Sequence, residues 1–197
     1  MSDEAKSGAA KELKTFPCDR QLLSARFSPC GKILASGAMD RGVMRWNVAE
    51  NELTPLPPLH GGNGWVQSIA FHPSEKLLFV SDSWGRLACT PCEGDAPAVR
   101  WEHAAAHDGS IRRVAVSTDG KLLATCGLDR FVRIWNAADG APVAKHQHTS
   151  DVFGVTFTPD GAQVVFGDLF GKLFALDFAA GKISREFDAG LLIEITA

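Results

Sequence analysis

The sequence has almost no net charge: 20 Lys and Arg against 23 Asp and Glu leave −3 over 197 residues. Its basic residues are dispersed, with no stripe interleaved with aromatics, which argues against a nucleic-acid or anionic-membrane partner. No apolar run reaches bilayer-spanning length. The N-terminal "MSDEAKSGAAKELK" has no secretory apolar stretch, and residues 1–10 are expected to form a mobile tail. Five cysteines, an odd number without framework spacing, exclude a disulfide-stapled small domain and point to reduced thiols in a cytoplasmic compartment. Catalytic signatures are missing as well. There is no nucleophile elbow, and "GGNG", Gly61 to Gly64, lacks the Lys-Ser/Thr of a phosphate-binding loop.

What is present is hydrophobic content of 45%, enough for a globular core, distributed over four similar segments. "LLSARFSPCGKILASGAMDRGVMRW" runs Leu22 to Trp46, and "VQSIAFHPSEKLLFVSDSWGRLACT" runs Val66 to Thr90. "IRRVAVSTDGKLLATCGLDRFVRIW" runs Ile111 to Trp135, and "VFGVTFTPDGAQVVFGDLFGKLFAL" runs Val152 to Leu176. The equivalent turn residues Gly31, Glu75, Gly120 and Gly161 lie 44, 45 and 41 residues apart. Each copy reads as a strand, a turn of Ser-Pro-x-Gly type, a second strand, a short turn, a third strand and a less regular outer strand. Proline at the second turn position presets φ, and glycine at the fourth accepts left-handed geometry. Four short strands joined locally make a small antiparallel sheet that is apolar on both faces, so successive sheets must stack face to face. A period of roughly 40–45 residues with several strands per copy is the signature of propeller blades.

With these motifs the chain resembles the WD-repeat β-propeller family, from about residue 11 to 197. The resemblance implies an all-β fold of about four four-stranded antiparallel blades, at approximately 21–59, 65–103, 111–147 and 152–187. It also implies a hydrogen-bonded staple of His, Ser/Thr, Asp and Trp in each blade. The third copy has the full set: His107, Thr125, Asp129 and Trp135. A buried indole N–H needs an acceptor, and a threonine hydroxyl can accept from it and donate onward. The first copy has Ser36, Asp40 and Trp46, but Cys18 stands at the histidine position. In the second, His60 is displaced, and Trp84 and Thr90 stand at the Asp and Trp positions. In the fourth, His148 is present, while Phe170 and Leu176 replace Asp and Trp.

The blade count does not close. "KELKTF", Lys11 to Phe16, aligns with an outer strand, and "LLIEITA", Leu191 to Ala197, with the first strand of a further blade. The expectation is an incomplete or open ring with an apolar blade face at each end and a tendency to self-associate.

Other candidate chemistry is weaker. "CTPC", Cys89 to Cys92, lacks the strand-to-helix setting of a redox pair and the second ligand pair of a zinc site, so neutral surface thiols are expected. "HQH", His146 to His148, could place two imidazoles on one side of a strand as a metal pair; the favoured reading puts His148 in a staple and leaves His146 solvated. No metal, cofactor or catalytic residue is expected. Family geometry puts the residues before the first strand and before the staple Asp on one rim: Gln21, Trp65, Ser110 and Asp151, and Met39, Ser83, Leu128 and Leu169. Large apolar groups at turns are unusual, so Met39, Trp65, Leu128 and Leu169, with Asp151 and Gln21, are the candidate partner-binding residues, while Trp84 and Phe170 are read as local packing. The function expected is a non-catalytic scaffold presenting loops to a protein or peptide. The alternatives are an architectural repeat module of a larger protein and, further off, a propeller enzyme or cofactor binder.

Overall fold

The computed structural model describes residues 15–49, 52–60 and 62–187. The expected tail, the strand over 191–197 and residues 11–14 of the first outer strand lie outside them. Thr15 and Phe16, the described part of that outer strand, are irregular.

The described chain is all β. Sixteen strands form four antiparallel sheets, each following sequence order. Blade 1 contains β1 (Leu22–Phe27), β2 (Ile33–Ala38), β3 (Gly42–Ala49) and β4 (Glu52–His60). Blade 2 contains β5 (Val66–Phe71), β6 (Leu77–Asp82), β7 (Leu87–Pro91) and β8 (Trp101–His103). Blade 3 contains β9 (Ile111–Val116), β10 (Leu122–Gly127), β11 (Phe131–Asn136) and β12 (Pro142–Gln147). Blade 4 contains β13 (Val152–Phe157), β14 (Val164–Asp168), β15 (Leu173–Asp177) and β16 (Lys182–Phe187).

The first turn closes in the same way in blades 1, 3 and 4. Gly31, Gly120 and Gly161 take φ of 72°, 77° and 71°. The hydroxyls of Ser28, Ser117 and Thr158 accept the N–H of Ile33, Leu122 and Gln163 at 3.0, 2.9 and 3.0 Å. Blade 2 has Glu75 in place of glycine, and there His72 Nδ1 accepts the N–H groups of Ser74 and Glu75. That fixes the His72 proton on Nε2, which donates to the Gly120 carbonyl of blade 3 at 3.0 Å.

Strand alternation sends successive side chains to opposite faces, and both faces of the inner blades are buried. In β6, Leu78 and Val80 pack toward blade 1 with Ile33, Ala35, Val43 and Ile69. Leu77 and Phe79 pack toward blade 3 with Ile111, Val114, Leu123 and Trp135. Every residue of β6 is buried as a result. A third cluster joins Ala124, Cys126, Val132 and Ile134 of blade 3 to Val152, Val164, Phe166 and Leu176 of blade 4. Each blade junction thus has its own core. The sheets do not close into a ring: Leu22, Leu23 and Phe27 on blade 1, and Phe153 and Leu173 on blade 4, remain exposed.

The structure corrects the reading of the Cys89–Cys92 pair. Both thiols are free and buried, Cys89 in the core between blades 2 and 3 and Cys92 in the core between blades 1 and 2. Burial pushes the Cys89 thiol up to about 11 and raises that of Cys92. A three-residue separation along a strand and its turn put the two sulfurs on opposite faces, so they pack as small apolar groups.

Candidate binding rim

In the third blade the four staple residues form one chain of hydrogen bonds. Trp135 Nε1 donates to Thr125 Oγ1 at 2.8 Å. The Thr125 hydroxyl donates to His107 Nε2 at 2.7 Å. His107 Nδ1 donates to Asp129 Oδ1 at 2.9 Å. Asp129 also accepts from Arg133 Nη1 at 2.6 Å and from the N–H groups of Asp108 and Phe131. Burial pushes the Asp129 carboxyl upward, but hydrogen bonds from His107 and Arg133 outweigh it and hold it well below the usual carboxylate range. Burial lowers the His107 pKa, Arg133 adds to that, and Asp129 only partly opposes it, which disfavours the protonated imidazole. This is a structural staple with every polar atom committed.

The other blades depart from it in ways the sequence comparison reads only in part. In blade 1, Asp40 forms an ion pair with Arg20 in place of a histidine, and Ser36 donates to the Gly37 carbonyl, with no bond to the buried Trp46. In blades 2 and 4 the carboxylate is not lost. It sits two residues earlier, at Asp82 and Asp168. Asp82 Oδ1 accepts from the N–H groups of Trp84 and Arg86 at 2.9 and 3.0 Å, and Asp168 Oδ1 from Phe170 and Lys172 at 3.0 and 2.9 Å. Asp168 Oδ2 takes His148 Nε2 at 3.3 Å and the Ser150 hydroxyl at 3.0 Å. Asp82 Oδ2 takes the N–H groups of Asn63 and Gly64, so these two amides of "GGNG" are spent on the fold.

The signal for this shift is in the turns. They read Asp-Arg at Asp40–Arg41 and Asp129–Arg130, and Asp-x-x-Gly at Asp82–Gly85 and Asp168–Gly171. The last residue of each has positive φ: 72° at Arg41, 87° at Gly85, 65° at Arg130 and 78° at Gly171. Where arginine bears the left-handed strain, the Asp directly before it caps the turn. Where glycine bears it, the capping Asp moves upstream. His148 reaches the turn carboxylate of its blade, with Phe166 and Phe174 packed edge-on to its ring where blade 3 has a threonine. His146 is half-buried, 5.8 Å from the Phe166 ring, and not simply solvated.

The eight rim positions meet as four pairs, each closed by the same backbone bond. Met39 N–H donates to the Gln21 carbonyl, Ser83 to Trp65, Leu128 to Ser110 and Leu169 to Asp151, at 3.0, 2.9, 3.1 and 2.9 Å. All lie where the first strand of a blade begins and the second ends. Met39, Leu128 and Asp151 are half-buried and Gln21 is exposed, whereas Trp65 is 49% and Leu169 56% exposed. Trp84 and Phe170 are not packed away: they are 66% and 75% exposed and extend the same rim.

One feature of the rim escapes the repeat alignment. In all four blades the pairing of the first two strands skips one residue near this end, at Leu23, Gln67, Arg112 and Phe153. A bulge re-aims the side chain it carries. Here Arg112 Nη1 reaches Gln67 Oε1 at 3.4 Å, and its guanidinium lies 5.2 Å from the Phe153 ring centroid. The skipped residues of blades 2, 3 and 4 therefore touch one another across the blade boundaries. Beside them a cavity of about 340 Å³ is lined by Arg41, Asn63, Gly64, Trp65, Gln67, Ser83, Trp84 and Ser110. Among the described residues no group of three or more His, Cys, Asp or Glu could hold a metal ion.

The family model "WD domain, G-beta repeat" matches residues 10–47 and 102–136. These segments hold the two copies with an Asp-Arg turn and a third-strand tryptophan, while the blades whose Asp has moved go unmatched. Over 173 residues the chain is 23% identical to "Protein groucho" of Drosophila melanogaster, an alignment covering 85% of this chain. The chain spans 22% of that relative's length.

Proposed function

We propose, from the WD-repeat match over residues 10–47 and 102–136 and the four four-stranded blades, that the chain is a non-catalytic scaffold presenting the rim of its blades to a protein or peptide. The observation that carries this is the contrast between interior and rim. The buried His107, Asp129, Asp82 and Asp168 are committed to staples and turns. The rim instead leaves Trp65, Trp84, Leu169 and Phe170 in water. Exposed tryptophans backed by a rigid sheet are the material of interaction hot spots. A cytoplasmic setting suits a chain whose five cysteines are all free.

The test is partner capture by the full chain and by alanine variants at Trp65, Met39 and Leu128. Loss of a defined partner with unchanged circular dichroism supports the scaffold. Capture indifferent to every rim substitution refutes it. The exposed apolar residues of blades 1 and 4 support a second reading, self-association through the blade faces. A concentration-independent monomer in sedimentation would exclude that.

A further inference from the structure

We propose that the groove between Trp65 and Trp84 binds an acidic peptide segment, one that places a carboxylate beside a large apolar side chain. The proposal rests on the scaffold reading and names the chemistry of its ligand. Two indoles, 49% and 66% exposed, flank the cavity and offer flat apolar surface. Their positions are held from behind. The Trp65 N–H donates to Ser83 Oγ at 2.9 Å, and the Ser83 N–H returns a bond to the Trp65 carbonyl. Trp84 lies over Gly64 so closely that a Cβ there would come within 2.9 Å of its indole. The loop is therefore preorganised, which lowers the cost of ordering it on binding.

The charge of the ligand follows from what surrounds the indoles. No acidic residue lines the groove, and Arg41 on its wall has no ion-pair partner among the described residues. Asp40, its neighbour in sequence, is already paired with Arg20. Next to Gln67 of the lining stands Arg112. It too lacks a carboxylate partner among the described residues, and its buried Nε has no hydrogen-bond partner. An aromatic pair without a carboxylate and beside two arginines is unsuited to a cationic ligand and suited to a carboxylate, which arginine can bind with two parallel N–H groups. Two arginines in a chain of net charge −3 fall short of the basic track a nucleic acid needs, so a peptide is the favoured occupant.

The experiment selects random 12-residue peptides on the full chain, then titrates synthetic copies by tryptophan fluorescence. A 12-nucleotide single-stranded DNA serves as a parallel probe. Recovered peptides should carry Asp or Glu next to Trp, Phe or Leu, and should bind about tenfold or more weakly to Arg112→Gln, Arg41→Gln and Trp84→Ala. Arg112→Lys should retain part of the affinity, and Phe170→Ala should retain all of it. If Arg112→Gln fails to fold, Arg41→Gln, on an exposed turn, decides the matter alone. Neutral or basic peptides, DNA binding tighter than any peptide, or affinity unchanged in Arg41→Gln and Trp84→Ala would overturn the proposal. Peptides that depend on Leu169 and not on this groove would overturn it while leaving the scaffold standing. Failure of any ligand to depend on the rim would remove both.

Discussion

Replacing Thr125 with valine tests the staple at its centre. Valine nearly matches threonine in shape, so packing in the fully buried site is preserved. The hydroxyl lost is both the acceptor of Trp135 Nε1 at 2.8 Å and the donor to His107 Nε2 at 2.7 Å. Trp135 and His107 are themselves buried, so water cannot readily take its place. An unsatisfied buried donor or acceptor costs roughly 1–3 kcal/mol. Two of them give roughly 2–6 kcal/mol, and a gain of about 1 kcal/mol from burying a methyl in place of a hydroxyl leaves about 1–5 kcal/mol. For a chain of this size each kcal/mol moves the melting midpoint by about 2–4 °C, so a central loss of about 3 kcal/mol lowers it by roughly 6–12 °C. The assay is urea and thermal unfolding followed by circular dichroism, with Thr125→Ser and Ser36→Ala as comparators. Serine keeps the hydroxyl and should recover most of the loss. Ser36 donates only to the adjacent Gly37 carbonyl, so its alanine variant should cost about 1 kcal/mol or less. The reasoning is refuted if Thr125→Val is no worse than Ser36→Ala, or if Thr125→Ser is as damaging as valine.

Stability should decline with acid in two stages, read as the urea midpoint from pH 8 to pH 3. Because the folded His107 pKa lies below its ordinary value, the unfolded chain takes up protons first, and stability falls as pH drops below about 6.5. The depressed carboxyls of Asp129 and Asp168 stabilise the fold above about pH 4, and that contribution is lost as pH falls toward their folded values; a flat profile from pH 7 to 5 would contradict the first stage. Asp82→Ala should cost about 2–4 kcal/mol in chemical denaturation, because four backbone N–H groups lose a charged acceptor at once. A cost near zero would show that blade 2 does without a turn carboxylate. In the native protein a thiol reagent should label Cys18 and Cys30, which are exposed, and spare Cys89, Cys92 and Cys126 until urea is added. Mass mapping of the label that found Cys89 or Cys92 modified under native conditions would contradict their burial.

The repeat, the strand order within it and the complete staple of the third blade were determined by the sequence itself. They depend on local signals: turn residues at fixed offsets, period-two alternation, and four side-chain types at one spacing. The tertiary structure alone decided what depends on which groups face each other across blades. Asp82 and Asp168 appear as departures from the alignment until the backbone shows a left-handed glycine carrying the turn and the carboxylate shifted to suit it. Cys89 and Cys92 look like a motif along the chain but belong to different blade junctions, because side chains an odd number of residues apart leave a sheet on opposite sides. Trp84 reads as packing in one dimension and stands in solvent in three. Arg112 meets Gln67 and Phe153 only because three bulges align around the blades, a coincidence of position that no single repeat contains.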